Sequence, residues 1–276
     1  MARKPRIAYW IRVAILLSLL AVVTLYAFRD MRSRRERTSW ERTLDVALVL
    51  VEDGKVADDA VAALRARVPV LEQRLKEEYQ RYRPGAPAPF AFVTFGPVPL
   101  STRAPGPVSD GFVGLARHAL EVFRFTRDVD SRASLPARGF DAHLYLVMRA
   151  PSSAEQSFVE GASEQGGRIG IASCDLGDDM ADFALFVAAH ELFHTLSATD
   201  KYDASGHTLV PEGLAEPERA PRFPQRYAEL MARNRPLDAE REAPPTSLSE
   251  LRVGPYTAQE IGWAARATSA LGTGTR

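Results

Sequence analysis

The chain has 276 residues, 46% of them hydrophobic and 25% charged, which suits one sizeable domain with appendages. Lys+Arg and Asp+Glu both number 35, so no basic excess is available to neutralise phosphates and no nucleic-acid partner is expected. Cys174 is the single cysteine, which excludes an intramolecular disulfide and a cysteine-built metal centre; any metal must be held by histidine and carboxylate.

Residues 7–28, IAYWIRVAILLSLLAVVTLYAF, are almost entirely apolar. A helix of roughly 20 such residues crosses a bilayer. The one charge, Arg12, lies near the start, where its side chain can reach the interface. Tyr9 and Trp10 stand where an aromatic belt would. A stretch apolar on all faces and basic at both ends does not read as a buried core helix. TLYAFRD offers no small-x-small cleavage site, so an uncleaved single-pass anchor is expected over a cleaved signal peptide. Arg3, Lys4, Arg6 and Arg12 lie before or early in the span, and Arg29, Arg32, Arg34, Arg35, Arg37 and Arg42 follow it. That count leans toward a cytoplasmic C-terminal side. An N-terminal anchor carrying an exported domain wants the reverse, so the side is left open here.

Residues 29–43 read as an Arg-rich juxtamembrane linker and 44–268 as one domain, irregular from about 198, with a flexible tail at 269–276. LDVALVLV (44–51) followed by EDG predicts a buried strand and turn. Residues 58–82 have helical spacing, with Val61, Leu64, Val68, Leu71 and Leu75 on one side and Pro69 expected to kink or split the helix. FAFVTF (90–95) predicts a second strand, residues 96–107 a Pro/Gly loop, and 110–126 a second helix. DAHLYLVMRA (141–150) and GGRIGIAS (166–173) predict two further strands. Residues 178–196 form a helix, with Asp178 and Asp179 suited to its first turn. Pro211, Pro217, Pro221 and Pro224 argue against long regular structure over 204–226. Ser247-x-x-Glu250 and Thr257-x-x-Glu260 are capping-box patterns and predict two short helices. The expected fold class is α/β (α+β): a mixed twisted sheet with the 178–196 helix beneath it, plus an N-terminal transmembrane helix.

That helix carries HELFHTLSATD, residues 190–200. His190 and His194 are four apart, hence on one helix face and able to share one ion. Glu191 is rotated about 100° from His190. It need not be a ligand, and it can reach a water on the metal and act as general base. H-E-x-x-H on a helix is the zinc-metalloprotease pattern. Leu185, Phe186, Ala188, Ala189, Leu192, Phe193 and Leu196 make this helix strongly apolar. The competing reading puts the trio on the polar edge of a core helix. A polar trio in so apolar a run is costly to bury without partners, and a Zn2+ ion supplies one. Candidates for a third ligand are Asp200, six residues after His194, Glu212 in PEGLAEPE, and His207.

HELFHTLSATD resembles the metzincin signature, H-E-x-x-H-x-x-G-x-x-H/D, in its aspartate-ended form. The resemblance covers roughly residues 44–235 and implies a zinc peptidase acting on a peptide or protein. It makes Asp200 the third zinc ligand and Met231 the methionine of a turn beneath the metal. It also implies that GGRIGIAS is the edge strand that pairs with substrate. Ser197 stands where the family has glycine, and a left-handed turn at a non-glycine residue costs about 1–2 kcal/mol. EGLAE (212–216) is similar to the gluzincin E-G-x-A-E segment, with Glu212 as ligand, but Pro211 and Pro217 bracket it and leave little room for a helix. A non-catalytic zinc or interaction domain is the alternative to a peptidase. Asp203 is either an orienting carboxylate or a solvated turn residue. His118, His143 and Cys174 read as ordinary structural residues, and the Arg-rich linker can touch anionic headgroups.

Overall fold

A computed structural model describes residues 6–106, 111–136, 139–151, 159–163 and 166–265. The expected tail, 269–276, lies outside them. The chain divides into two compact units, Met1–Ser39 and Trp40–Arg276. The first contains α1 (Arg6–Arg37), which continues as helix into the segment expected to be linker. It holds a helix, Tyr9–Arg37, long and apolar enough to cross a membrane, a test that a signal sequence also passes.

The second unit is built on a sheet of β1 (Leu44–Glu52), β2 (Phe90–Pro99), β3 (Ala142–Arg149), β4 (Val159–Ser163) and β5 (Ile169–Asp175). Their order is β2-β1-β3-β5-β4. The first four in that order run parallel and β4 is antiparallel to β5. The central strands are buried on both faces, so they are apolar at consecutive positions rather than alternating. In β1, Val46, Leu48 and Leu50 face one side, while Ala47, Val49 and Val51 face the other. On the first side lie α2 (Asp58–Tyr82) and α4 (Ala181–Thr195). On the second, α3 (Gly111–Arg132) lays Phe125 and Val129 against Tyr145 and Val147.

α2 stays one helix through Pro69. Val61, Leu64, Val68, Leu71 and Leu75 are all buried, and their packing offsets a proline cost of about 3 kcal/mol. α4 begins at Ala181, leaving Asp178 and Asp179 before it. Asp182 supplies its first-turn acid instead. It pairs with Arg67 of α2 at 2.5 Å and accepts the Leu248 amide at 3.0 Å. The buried Glu78 of α2, paired with Arg74, Arg81 and Arg252, and an aromatic group tie the C-terminal lobe to this frame. In the aromatic group, Trp263 stacks edge-on against Trp40 and Phe193, with centroids 5.7 and 5.4 Å away.

β4 was not legible as a strand, since VEGAS carries glycine, a charge and no run of β-formers. Its presence corrects the expected place of the edge: β5 lies between β3 and β4, so residues 166–173 are interior and β4 is outermost. The lobe after α4 is held by two short ladders, β6 (Ala228–Glu229) with β9 (Leu251–Arg252) and β7 (Arg235–Pro236) with β8 (Glu242–Ala243). Ser247 caps a single 3₁₀ turn, Leu248–Glu250. α5 (Pro255–Glu260) starts at Pro255 after Gly254, three residues ahead of the first residue expected to be inside it, because proline's fixed φ suits the first helical position.

Candidate functional site

The site is built on the last two turns of α4. This helix is apolar nearly all round, so it is buried on almost every side, and its few polar side chains need partners. His190 Nδ1 lies 2.9 Å from the Leu230 carbonyl, and His194 Nδ1 lies 3.0 Å from the Ala198 carbonyl. A carbonyl can only accept, so both Nδ1 atoms carry the proton and both Nε2 atoms present a lone pair. Those two Nε2 atoms are 3.1 Å apart. Asp200 Oδ1 stands 3.3 Å from the first and 3.2 Å from the second.

Three electron-pair donors thus form a near-equilateral triangle. A tetrahedral ion with bonds of about 2.0–2.1 Å separates its ligand atoms by ~3.3 Å. The triangle has that edge, and a cation at its centre would remove the repulsion among the three donors. The residues present therefore fit a divalent metal. The two ring side chains are 8% and 16% exposed and the Asp200 side chain 42%, so the histidines form the floor and the carboxylate stands at the mouth.

The turn after α4 brings Asp200 back. Ser197 adopts φ +75°, its amide donates to the His194 carbonyl at 2.9 Å, and the Ala198 amide donates to the Phe193 carbonyl at 3.1 Å. This is a Schellman closure with serine in the left-handed position that glycine normally fills. It also supplies the Ala198 carbonyl that orients His194. Thr199 and Lys201, on either side of Asp200, are both tied down. Glu260 of α5 accepts from the Thr199 amide at 2.9 Å and from Lys201 Nζ at 2.7 Å, and the Lys201 amide donates to the Met231 carbonyl at 2.9 Å.

Met231 belongs to a buried 3₁₀ turn, Leu230–Ala232, whose Leu230 carbonyl is the one that orients His190. Glu229 caps that turn from a fully buried position. Its carboxylate accepts the Met231 amide at 2.6 Å and the Gly254 amide at 3.1 Å, linking the turn to the segment before α5. Burial pushes the Glu229 carboxyl up.

Glu191 is also buried, and it and the two histidines each offer a ligand atom within 4.8 Å of the others. Gly161 of β4 faces it, and a Cβ there would overlap the Glu191 carboxylate. A larger residue here would displace the Glu191 carboxylate from this position. Tyr202 stacks on His190, with centroids 6.4 Å apart at 23°. Burial, with the Asp200 carboxylate beside it, pushes its phenol up to about 12.

The other sequence candidates lie elsewhere. Residues 210–213 form a turn rather than a helix, and Glu212 makes no ion pair or hydrogen bond with either site imidazole. His207 is a turn residue whose amide donates to Asp203 at 3.0 Å. Asp203 also accepts the Ser205 amide at 2.8 Å, which makes it a solvated turn residue, not an orienting one. Cys174 is buried in the sheet, where burial pushes its thiol up to about 12. His143 sits in β3 beside Phe140, and His118 in α3. Sequence reasoning missed Gly161, Glu229, Glu260 and the Leu230 carbonyl. Each makes a contact far along the chain that no local pattern marks; the capping-box pattern at Thr257-x-x-Glu260 gave Glu260 a role in its own helix, not at Asp200.

No protein-family model matches the chain, and no curated protein does. Among solved structures, similarity was found to wild-type OgpA from Akkermansia muciniphila at 17% identity and a TM-score of 0.29, covering 59% of this chain and 51% of that one. A catalytically inactive OgpA in complex with an O-glycopeptide substrate gives 15% identity and a TM-score of 0.28, covering 59% and 50%. The chain thus spans about half the length of these structures. At that degree of overlap its own residues carry the functional case.

Proposed function

We propose that the chain is a membrane-tethered, zinc-dependent metallopeptidase with a metzincin-like domain. The single observation that carries this is the triangle of His190 Nε2, His194 Nε2 and Asp200 Oδ1 beside a buried Glu191. Zinc held by His190, His194 and Asp200 would supply a Lewis acid for a scissile carbonyl and lower the pKa of a bound water to about 7. Glu191 takes a proton from the attacking water at its carboxylate and passes one to the leaving amine. The Leu230 and Ala198 carbonyls keep both rings in the ligating tautomer throughout. The free side of β4, unpaired among the described residues, offers a substrate strand an edge to join, with Gly161 keeping that edge against Glu191. α1 is the single-pass anchor, 29–43 the juxtamembrane segment and 44–268 the peptidase domain, placed on the extracytoplasmic side.

Glu191→Gln tests the reading. It keeps the metal, measured by elemental analysis, and lowers cleavage of a casein or peptide-library substrate by about 10²–10⁴-fold. Equal cleavage by both proteins would favour a non-catalytic zinc domain.

A further inference from the structure

Helix α3 has two unlike sides. Gly114, Phe125, Thr126 and Val129 are buried, Phe125 and Val129 against the sheet face opposite α4. The other side is apolar and exposed among the described residues. Phe112, Ala116, Ala119, Leu120 and Phe123 follow one another at helical spacing, with Val113 and Leu115 flanking them. Phe112 is 86% exposed, Val113 76% and Phe123 58%. An exposed apolar stripe of this kind marks a binding surface. Its polar flank is net cationic: Arg117, Arg124, Arg127 and Arg132 are exposed along α3, against exposed Glu121, an Asp128 that pairs with Arg132, and an Asp130 that accepts from the Tyr145 hydroxyl.

We propose that this side of α3 docks onto an anionic lipid surface, its aromatic and aliphatic stripe entering the acyl boundary and its arginines meeting headgroup phosphates. An apolar face rimmed by arginine is the composition of an interfacial helix, and it complements a negative leaflet. The proposal rests on the tethering read for α1, because an anchor on the same chain holds the domain beside a bilayer and makes a weak second contact effective. Since α3 covers the face of the sheet away from α4, such docking leaves the His190–His194 side free for substrate.

The test uses the full chain in nanodiscs of phosphatidylcholine with and without phosphatidylglycerol. Ala119→Cys carries a spin label, and Glu240→Cys in the exposed C-terminal lobe is the control; Cys174 is buried and does not compete. The expected result is that nickel-chelate collisions at position 119 fall several-fold in the anionic discs and oxygen collisions rise, while position 240 stays wet. Phe123→Glu should return position 119 to the aqueous values. Equal aqueous access at 119 and 240 in anionic discs, in a chain that stays bound to the discs, overturns the proposal and leaves the anchor intact. A chain that leaves the discs altogether overturns the anchor. Shielding at 119 that persists in detergent and grows with protein concentration assigns the face to a second copy of the chain and also overturns it.

Discussion

At Ser197 the backbone turns with φ +75°, and everything after it depends on that dihedral. The turn delivers the Ala198 carbonyl to His194 and the Asp200 carboxylate to both rings. A serine there bears about 1–2 kcal/mol of left-handed cost, partly offset in a comparison with glycine by glycine's larger chain entropy of about 0.5–1 kcal/mol. Ser197→Gly should therefore raise stability by about 0.5–1 kcal/mol, a Tm increase of roughly 1–4 °C by calorimetry, with metal content unchanged. Of the residues gathered here, His190, Glu191, His194 and Asp200 were legible because a helix repeat and one short turn connect them. Gly161 was not. Its role is an absent side chain opposite Glu191, and nothing in VEGAS marks it.

Two contacts between elements hold the loop and the helix that make the site. Glu260 at the end of α5 binds both neighbours of Asp200 across about 60 residues of sequence. Glu260→Ala should free that loop and weaken zinc affinity about 10–100-fold in chelator competition, with the fold retained in circular dichroism. Asp182 ties the first turn of α4 to Arg67 of α2 and to the Leu248 amide. Burial pushes its carboxyl up, but Arg67 and the amide outweigh this and leave it below the ordinary value. A depressed folded pKa gives stability that is present above the unfolded value of about 3.9 and lost as pH falls through the folded one. Asp182→Asn should therefore cost about 1–2 kcal/mol at pH 7, and the gap to wild type in urea melts should close as the pH drops below about 4. Strands and helices with long periodic runs were legible. The short ladders of the lobe were not, being two residues long; around β9 side chains of α2 satisfy the backbone, with Arg74 donating to the Leu251 carbonyl at 2.7 Å, Tyr82 donating to that of Val253 at 2.7 Å, and Glu78 accepting the Val253 amide at 3.0 Å.

Across the whole molecule, the apolar first helix lies in one compact unit, Met1–Ser39, and the α/β sheet in the other, Trp40–Arg276. The sheet order was not legible. β4 enters from a short, weakly patterned segment and takes the outer position, which moves the proposed substrate edge from residues 166–173 to Val159–Ser163. The proposed chemistry then reduces to which carboxylate completes the pair of imidazoles. Zinc content of the purified full chain, compared with Asp200→Ala and Glu212→Ala, measures this directly. The account predicts about one zinc per chain in wild type and in Glu212→Ala, and a large loss in Asp200→Ala. Full zinc in Asp200→Ala with loss in Glu212→Ala, or a wild-type chain that binds none, would contradict it.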